Sequence, residues 1–174
     1  MWELEPTTTP SWCILANNQH SQSSACPQLT VAIIAIEPSG DLHGGNLAKA
    51  LLAINPTLKF VGVGGSHMAA SGVNLWLKTT DMAIIGPGGA LLCLHKYIYH
   101  YLYVRSHLLK AKPDLTILID CPAVNMRYAG LLTRYGYHCV YYFPPSAWTT
   151  SEARLRQIFS RTDRVICTFL SNAE

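Results

Sequence analysis

Two short segments carry side chains whose type and setting suit chemistry. Asp120 ends a strongly apolar run, Leu115-Thr116-Ile117-Leu118-Ile119, and is followed by Cys121-Pro122. A carboxylate at the end of a buried strand faces a cleft and is partly stripped of water, which fits a general base. The same carboxylate would equally cap the next helix or accept bonds from nearby backbone N–H groups, and its position alone does not separate these roles. Glu37-Pro38-Ser39-Gly40-Asp41 follows the first apolar run and leads toward helix-spaced leucines. It offers carboxylates, a hydroxyl and backbone N–H groups near a helix N-terminus. Helix capping by Ser39 or Asp41 is the plainer reading.

The elements that must hold these residues are legible as an alternation. Thr30 to Ile36 is a continuous β-branched, apolar run, which suits a strand buried on both faces. Leu47, Leu51 and Ile54 then recur at helical spacing and stop at Asn55-Pro56. Lys59 to Val63 reads as a second strand and Leu115 to Ile119 as a third. A helix over Val124 to Tyr135 stops at Gly136, and His138 to Phe143 is the next strand. Thr149-Thr150-Ser151-Glu152 has capping-box spacing ahead of Leu155 and Ile158, and Val165 to Phe169 is a last strand. Apolar strands alternating with helices predict an α/β, Rossmann-like, doubly wound parallel sheet. Such sheets bind ligands beyond the carboxyl ends of their strands, where both segments fall.

Composition narrows the function classes. The 174 residues suit one α/β domain, 49% are hydrophobic, and the net charge of +3 is too mild to argue for nucleic acid. Residues 1–28 are polar, aperiodic and free of Lys and Arg, and read as a flexible leader to a domain over 29–174. They have no basic n-region and no long apolar core, so no signal peptide is expected. The six cysteines contain no CxxC pair, which points to reduced thiols in a cytoplasm and away from zinc. His95, His100 and His107 lack a carboxylate or cysteine at ligand spacing, so no metal is expected. No GxGxxG is present, and no dinucleotide cofactor is expected. No apolar run reaches the ~20 residues of a membrane span.

Between Gly86 and Pro113 the basic residues Lys96, Arg105, Lys110 and Lys112 stand with no acid among leucines and tyrosines. Leu91, Leu92, Leu94, Ile98 and Leu102 would supply the apolar face of a helix lying on a lipid surface. A buried core helix is the competing reading, and the alternation Tyr97, Tyr99, Tyr101, Tyr103 even allows a strand.

Taken in order, these segments resemble the lipid-A-disaccharide synthase family from about Val31 to about Phe169. The matching stretches are Glu37 to Asp41, Phe60 to Gly65 with Met68, Ile85-Gly86 and Lys112-Pro113-Asp114. They continue with Ile119-Asp120-x-Pro122-x-x-Asn125, Tyr142-x-x-Pro145-Ser146-x-Trp148 and Thr162-Asp163-x-Val165. The resemblance implies the N-terminal domain of a GT-B type glycosyltransferase. Its reaction is the inverting transfer of 2,3-diacylglucosamine from its UDP derivative to 2,3-diacylglucosamine 1-phosphate, with release of UDP. It places the catalytic aspartate on Asp120 and substrate-lining positions on Glu37, Ser39, Gly40, Asp41, Gly86, Asn125, Ser146 and Trp148. It also implies a peripheral position on the cytoplasmic side of the inner membrane, touched by the segment after Gly86. The chain departs from the family pattern at Ala123, where a second aspartate is usual, and at Thr150 and Ser151, where an aromatic and an arginine are usual. It covers about half the family's length, so the UDP-sugar half is expected to be absent or supplied by a separate chain. The competing readings are a lipid-binding remnant of this fold without turnover, and an unrelated flavodoxin-like nucleotide binder. The missing phosphate loop weighs against the latter.

Overall fold

A computed structural model describes residues 28–78, 94–144 and 151–167. Six strands, β1 (Thr30–Ala35), β2 (Lys59–Gly64), β3 (Asn74–Lys78), β4 (Leu115–Ile119), β5 (Cys139–Tyr142) and β6 (Arg164–Ile166), form one sheet. Every pairing is parallel, and the order is β3-β2-β1-β4-β5-β6. This is the doubly wound Rossmann order, which reverses direction between β1 and β4. The helices are α1 (Pro38–Ile54), α2 (Ser66–Ala70), α3 (Leu94–Ala111), α4 (Pro122–Arg134) and α5 (Glu152–Phe159).

The continuous apolar character of β1 has the anticipated cause. Val31, Ile33 and Ala35 pack with Ala48 of α1 and Met68 of α2. Ala32 and Ile34 face the other way, into a cluster holding Val104 and Leu108 of α3, Met126, Ala129 and Leu132 of α4, and Ile158 of α5. Period-2 alternation thus feeds two cores, and both faces of the central strand are closed to water. α1 approaches the sheet closely through glycine. A Cβ at Gly40 would meet the Ala35 Cβ at 3.3 Å, and one at Gly44 would meet the Met68 sulfur at 2.8 Å.

Two elements escape the sequence reading. β3 is an edge strand with polar ends and half-buried Leu75, Trp76 and Leu77, so it lacks the apolar signature of the central strands. α2 has only five residues and is capped by a side chain from another helix, described below. Two further expectations need correction. The tyrosine alternation after Gly86 forms a helix over Leu94–Ala111, not a strand. α5 begins at Glu152 with Ser151, not Thr149, at its N-cap and with no side-chain cap bond, and Thr149 and Thr150 lie outside the described residues. The proposed leader lies outside the described residues, apart from Gln28.

Candidate active site

The reversal point of the sheet brings the two chemistry-bearing segments together. β1 and β4 are hydrogen-bonded neighbours with Ala35 opposite Ile119, so Glu37 and Cys121 leave the sheet side by side. The Cys121 thiol lies beside the Glu37 carboxylate. Burial, then the charge of Glu37 and more weakly that of Asp120, push the thiol up to about 11. It therefore stays mostly protonated near neutrality, which slows its reaction with electrophiles.

The turn carrying Asp120 is unusual in its backbone. Asp120 and Cys121 have φ of 51° and 40°, two consecutive non-glycine residues in the left-handed region. Each such residue costs roughly 1–3 kcal/mol and persists only where neighbours over-determine it. The neighbours are identifiable. The Asn125 side-chain amide donates to the Ile119 carbonyl at 2.9 Å and to the Asp120 carbonyl at 2.7 Å. The Tyr141 hydroxyl donates to the same Asp120 carbonyl at 2.8 Å. The Asp120 N–H donates to the Tyr142 carbonyl at 3.2 Å. The Tyr141 ring is fully buried, and burial followed by the charge of Asp120 drives its hydroxyl far above the ordinary phenol range, fixing it as a donor.

The Glu37-to-Asp41 turn divides its labour. Pro38 opens α1, Gly40 is buried against the sheet, and Asp41 is turned inward with 4% of its surface exposed. The Asp41 carboxylate accepts from the backbone N–H groups of Gly65 at 2.6 Å, His67 at 3.0 Å and Met68 at 3.0 Å. It caps α2, not its own helix, and locks the exits of β1 and β2 together. Glu37 and Ser39 remain exposed at the carboxyl end of the sheet.

Substrate contact was expected at Asn125, but this side chain is completely buried and holds the Asp120 turn, with its Oδ1 unpartnered among the described residues. Ala123 is exposed on the first turn of α4, beside the Asp120 turn. Gly86, Leu91, Leu92, Ser146 and Trp148 lie outside the described residues, as does the side chain of Leu94.

Other groups at this end carried no sequence signal. His43 of α1 stacks on Phe143, just past β5, with ring centroids 4.3 Å apart. Phe143 also has a positive φ, 60°. The Arg127 guanidinium lies 5.3 Å from the centre of the Tyr97 ring, joining α4 to α3. α3 has one stripe in the core and another exposed. Val104 and Leu108 are fully buried and Tyr101 stacks on Tyr128 at 5.2 Å, while Ile98, Tyr99 and Leu102 are about half exposed or more. No helix among the described residues is long and apolar enough to cross a membrane, and no His/Cys/Asp/Glu group among them could hold a metal.

Comparison with known proteins adds a family to this geometry. The profile of the lipid-A-disaccharide synthetase family matches residues 31–170. A lipid-A-disaccharide synthase of Geobacter metallireducens is 38% identical over 143 residues, 82% of this chain and 37% of the relative. That of Geobacter sulfurreducens is 34% identical over 139 residues, 80% of the chain and 36% of the relative. That of Syntrophus aciditrophicus is 36% identical over 142 residues, 78% and 35% respectively. The chain thus spans little more than a third of the length of the curated relatives it matches.

Proposed function

This chain belongs to the lipid-A-disaccharide synthase family, and on that premise we propose that it forms the acceptor-side part of a glycosyltransferase of lipid A biosynthesis. The substrates are UDP-2,3-diacylglucosamine and 2,3-diacylglucosamine 1-phosphate. Asp120 takes the proton of the acceptor hydroxyl as its oxygen attacks the anomeric carbon. The sugar–phosphate bond breaks on the opposite face, UDP leaves, and the anomeric centre inverts. Glu37 and Ser39 line the site at the same end of the sheet. The UDP-sugar site belongs to the part of the family's length that this chain does not span.

One observation carries the assignment of the base. Asp120 sits on a doubly strained, thrice-bonded turn at the reversal point of the sheet, and no described residue bonds to its carboxylate. The test is turnover beside a melting curve, with the UDP-sugar half supplied by fusion or as a second chain. Asp120→Asn should lower transfer by about 10²–10⁴ and leave the melting temperature in place, because Asn keeps the shape without the basicity. Activity within a few-fold of the parent removes Asp120 from the mechanism.

A second reading, a lipid-binding remnant without turnover, is favoured by the exposed Ala123 where the family usually has an aspartate. It predicts no transfer from the reconstituted enzyme even with Asp120 intact, and recovery of none by Ala123→Asp.

The acylated substrates put the chain at a membrane surface, on the cytoplasmic side of the inner membrane. The support is the exposed stripe Ile98, Tyr99 and Leu102 on a helix with Arg105 and Lys110 and no acid. Each basic group near an anionic surface contributes about 1 kcal/mol, and the stripe adds an apolar term. Ile98→Ser with Leu102→Ser should weaken sedimentation with anionic vesicles. Unchanged sedimentation would remove this stripe from the interface.

A further inference from the structure

We infer that Tyr141 is a positioning residue for Asp120, acting through the hydrogen bond from its hydroxyl to the Asp120 carbonyl. The inference rests on Asp120 being the base and adds a residue to that site. Its basis is the way the turn is tied. Two consecutive non-glycine residues at positive φ, Asp120 and Cys121, hold only while outside groups fix their peptide units. Asn125 supplies one tie, but it sits on α4, the helix that the turn itself begins, so it moves with the turn. Tyr141 lies 21 residues away on β5, the neighbouring strand. Its bond anchors the turn to the sheet and not to the turn's own helix.

The hydroxyl is the one polar group of a fully buried side chain, and it is spent on the base's own carbonyl. Packing alone needs only the ring, which belongs to the same apolar cluster as Leu118 and Leu132. Without the hydroxyl, the Asp120 carbonyl keeps only the Asn125 amide, and the peptide unit between Asp120 and Cys121 is held less firmly and relaxes toward a less strained φ. That relaxation swings the Asp120 carboxylate off the acceptor and draws the Cys121 thiol away from Glu37.

Tyr141→Phe keeps the ring and removes the bond, and two readouts follow it. In the transfer assay kcat should fall roughly ten- to a hundredfold, the scale of an ångström-sized misplacement, with KM for both substrates unchanged. On the 174-residue chain itself, alkylation by iodoacetamide, resolved by mass spectrometry, should label Cys121 several-fold faster while Cys139 stays protected. An unchanged Cys121 rate overturns the inference. So does parallel acceleration at Cys121 and Cys139, which would show a loosened core and not a released turn. Turnover insensitive to Asp120→Asn would remove the base, and with it any catalytic part for Tyr141. Labelling of Cys121 would then still decide whether the hydroxyl holds the turn.

Discussion

The two ends of the sheet use carboxylates in opposite ways. At the entering end, Asp114 stands just before β4 and accepts the Thr30 N–H of β1 at 2.7 Å, while its own N–H donates back to the Thr30 carbonyl. Asp163 stands just before β6 and does the same with Cys139 of β5, at 2.7 Å. These reciprocal pairs tie neighbouring strands where the ladders begin. At the exit end, Asp41 is also consumed by backbone, but Glu37 is exposed beside the Cys121 thiol and Asp120 has no described partner for its carboxylate. One residue type thus closes the fold at one end and leaves a carboxylate without a described partner at the other. The difference lies in whether backbone N–H groups converge on it.

Four measurements would break or sharpen this contrast. The largest effect should be on turnover at the exit end, through Asp120→Asn as above, with no change in stability. Asp41→Ala should do the reverse of a catalytic change. It strands the buried N–H groups of Gly65 and Met68, and a buried unsatisfied donor costs about 1–3 kcal/mol. A loss of about 2–4 kcal/mol in urea unfolding is expected, and no loss would mean that water caps α2 equally well.

Next in size is an alkaline effect. Burial, aided by the charge of Asp163, raises the Cys139 thiol from 9.0 to about 12. Above pH 9 the unfolded chain gives up this proton first, so stability is full below that pH and falls toward pH 12. The slope is about 1.4 kcal/mol per pH unit for one such group. In Cys139→Ala the slope should flatten, and an unaltered slope would assign the loss to the buried tyrosines. The smallest effect should come from the stitches. Asp114→Ala and Asp163→Ala remove bonds at exposed strand entries, worth about 1 kcal/mol each. A larger loss at Asp163 than at Asp114 would credit His138, whose Nδ1 lies 3.4 Å from the Asp163 carboxylate.

The contrast also explains which motif residues could be assigned from sequence. Lys112-Pro113-Asp114, Thr162-Asp163 and Glu37 to Asp41 all read alike as polar punctuation beside apolar strands. Only the three-dimensional neighbours separate a stitch at Asp114, a remote cap at Asp41 and a group without a described partner at Asp120. The family resemblance implies a substrate-lining place for Asn125, and in the structure its amide turns back onto the Ile119 and Asp120 carbonyls. Tyr141 gave no signal at all, since a tyrosine in a short apolar strand looks like any packing residue.

What the sequence determined by itself is the order and type of the main elements. β1, β4, α1 and the stop at Gly136 follow from apolar runs, helical spacing, Pro38 at the helix start and a residue that tolerates φ of 71°. These are local preferences, written within one or two turns of chain. The tertiary structure alone decided the rest: β3 at the edge, α2 capped from α1, α3 with one stripe in the core and another exposed, and the left-handed turn at Asp120. Each depends on groups far apart in the chain, such as Asp41 and Gly65 or Tyr141 and Asp120, which the sheet register brings within bonding distance. A strained turn is invisible in the residues that adopt it, because the energy that holds it there comes from elsewhere.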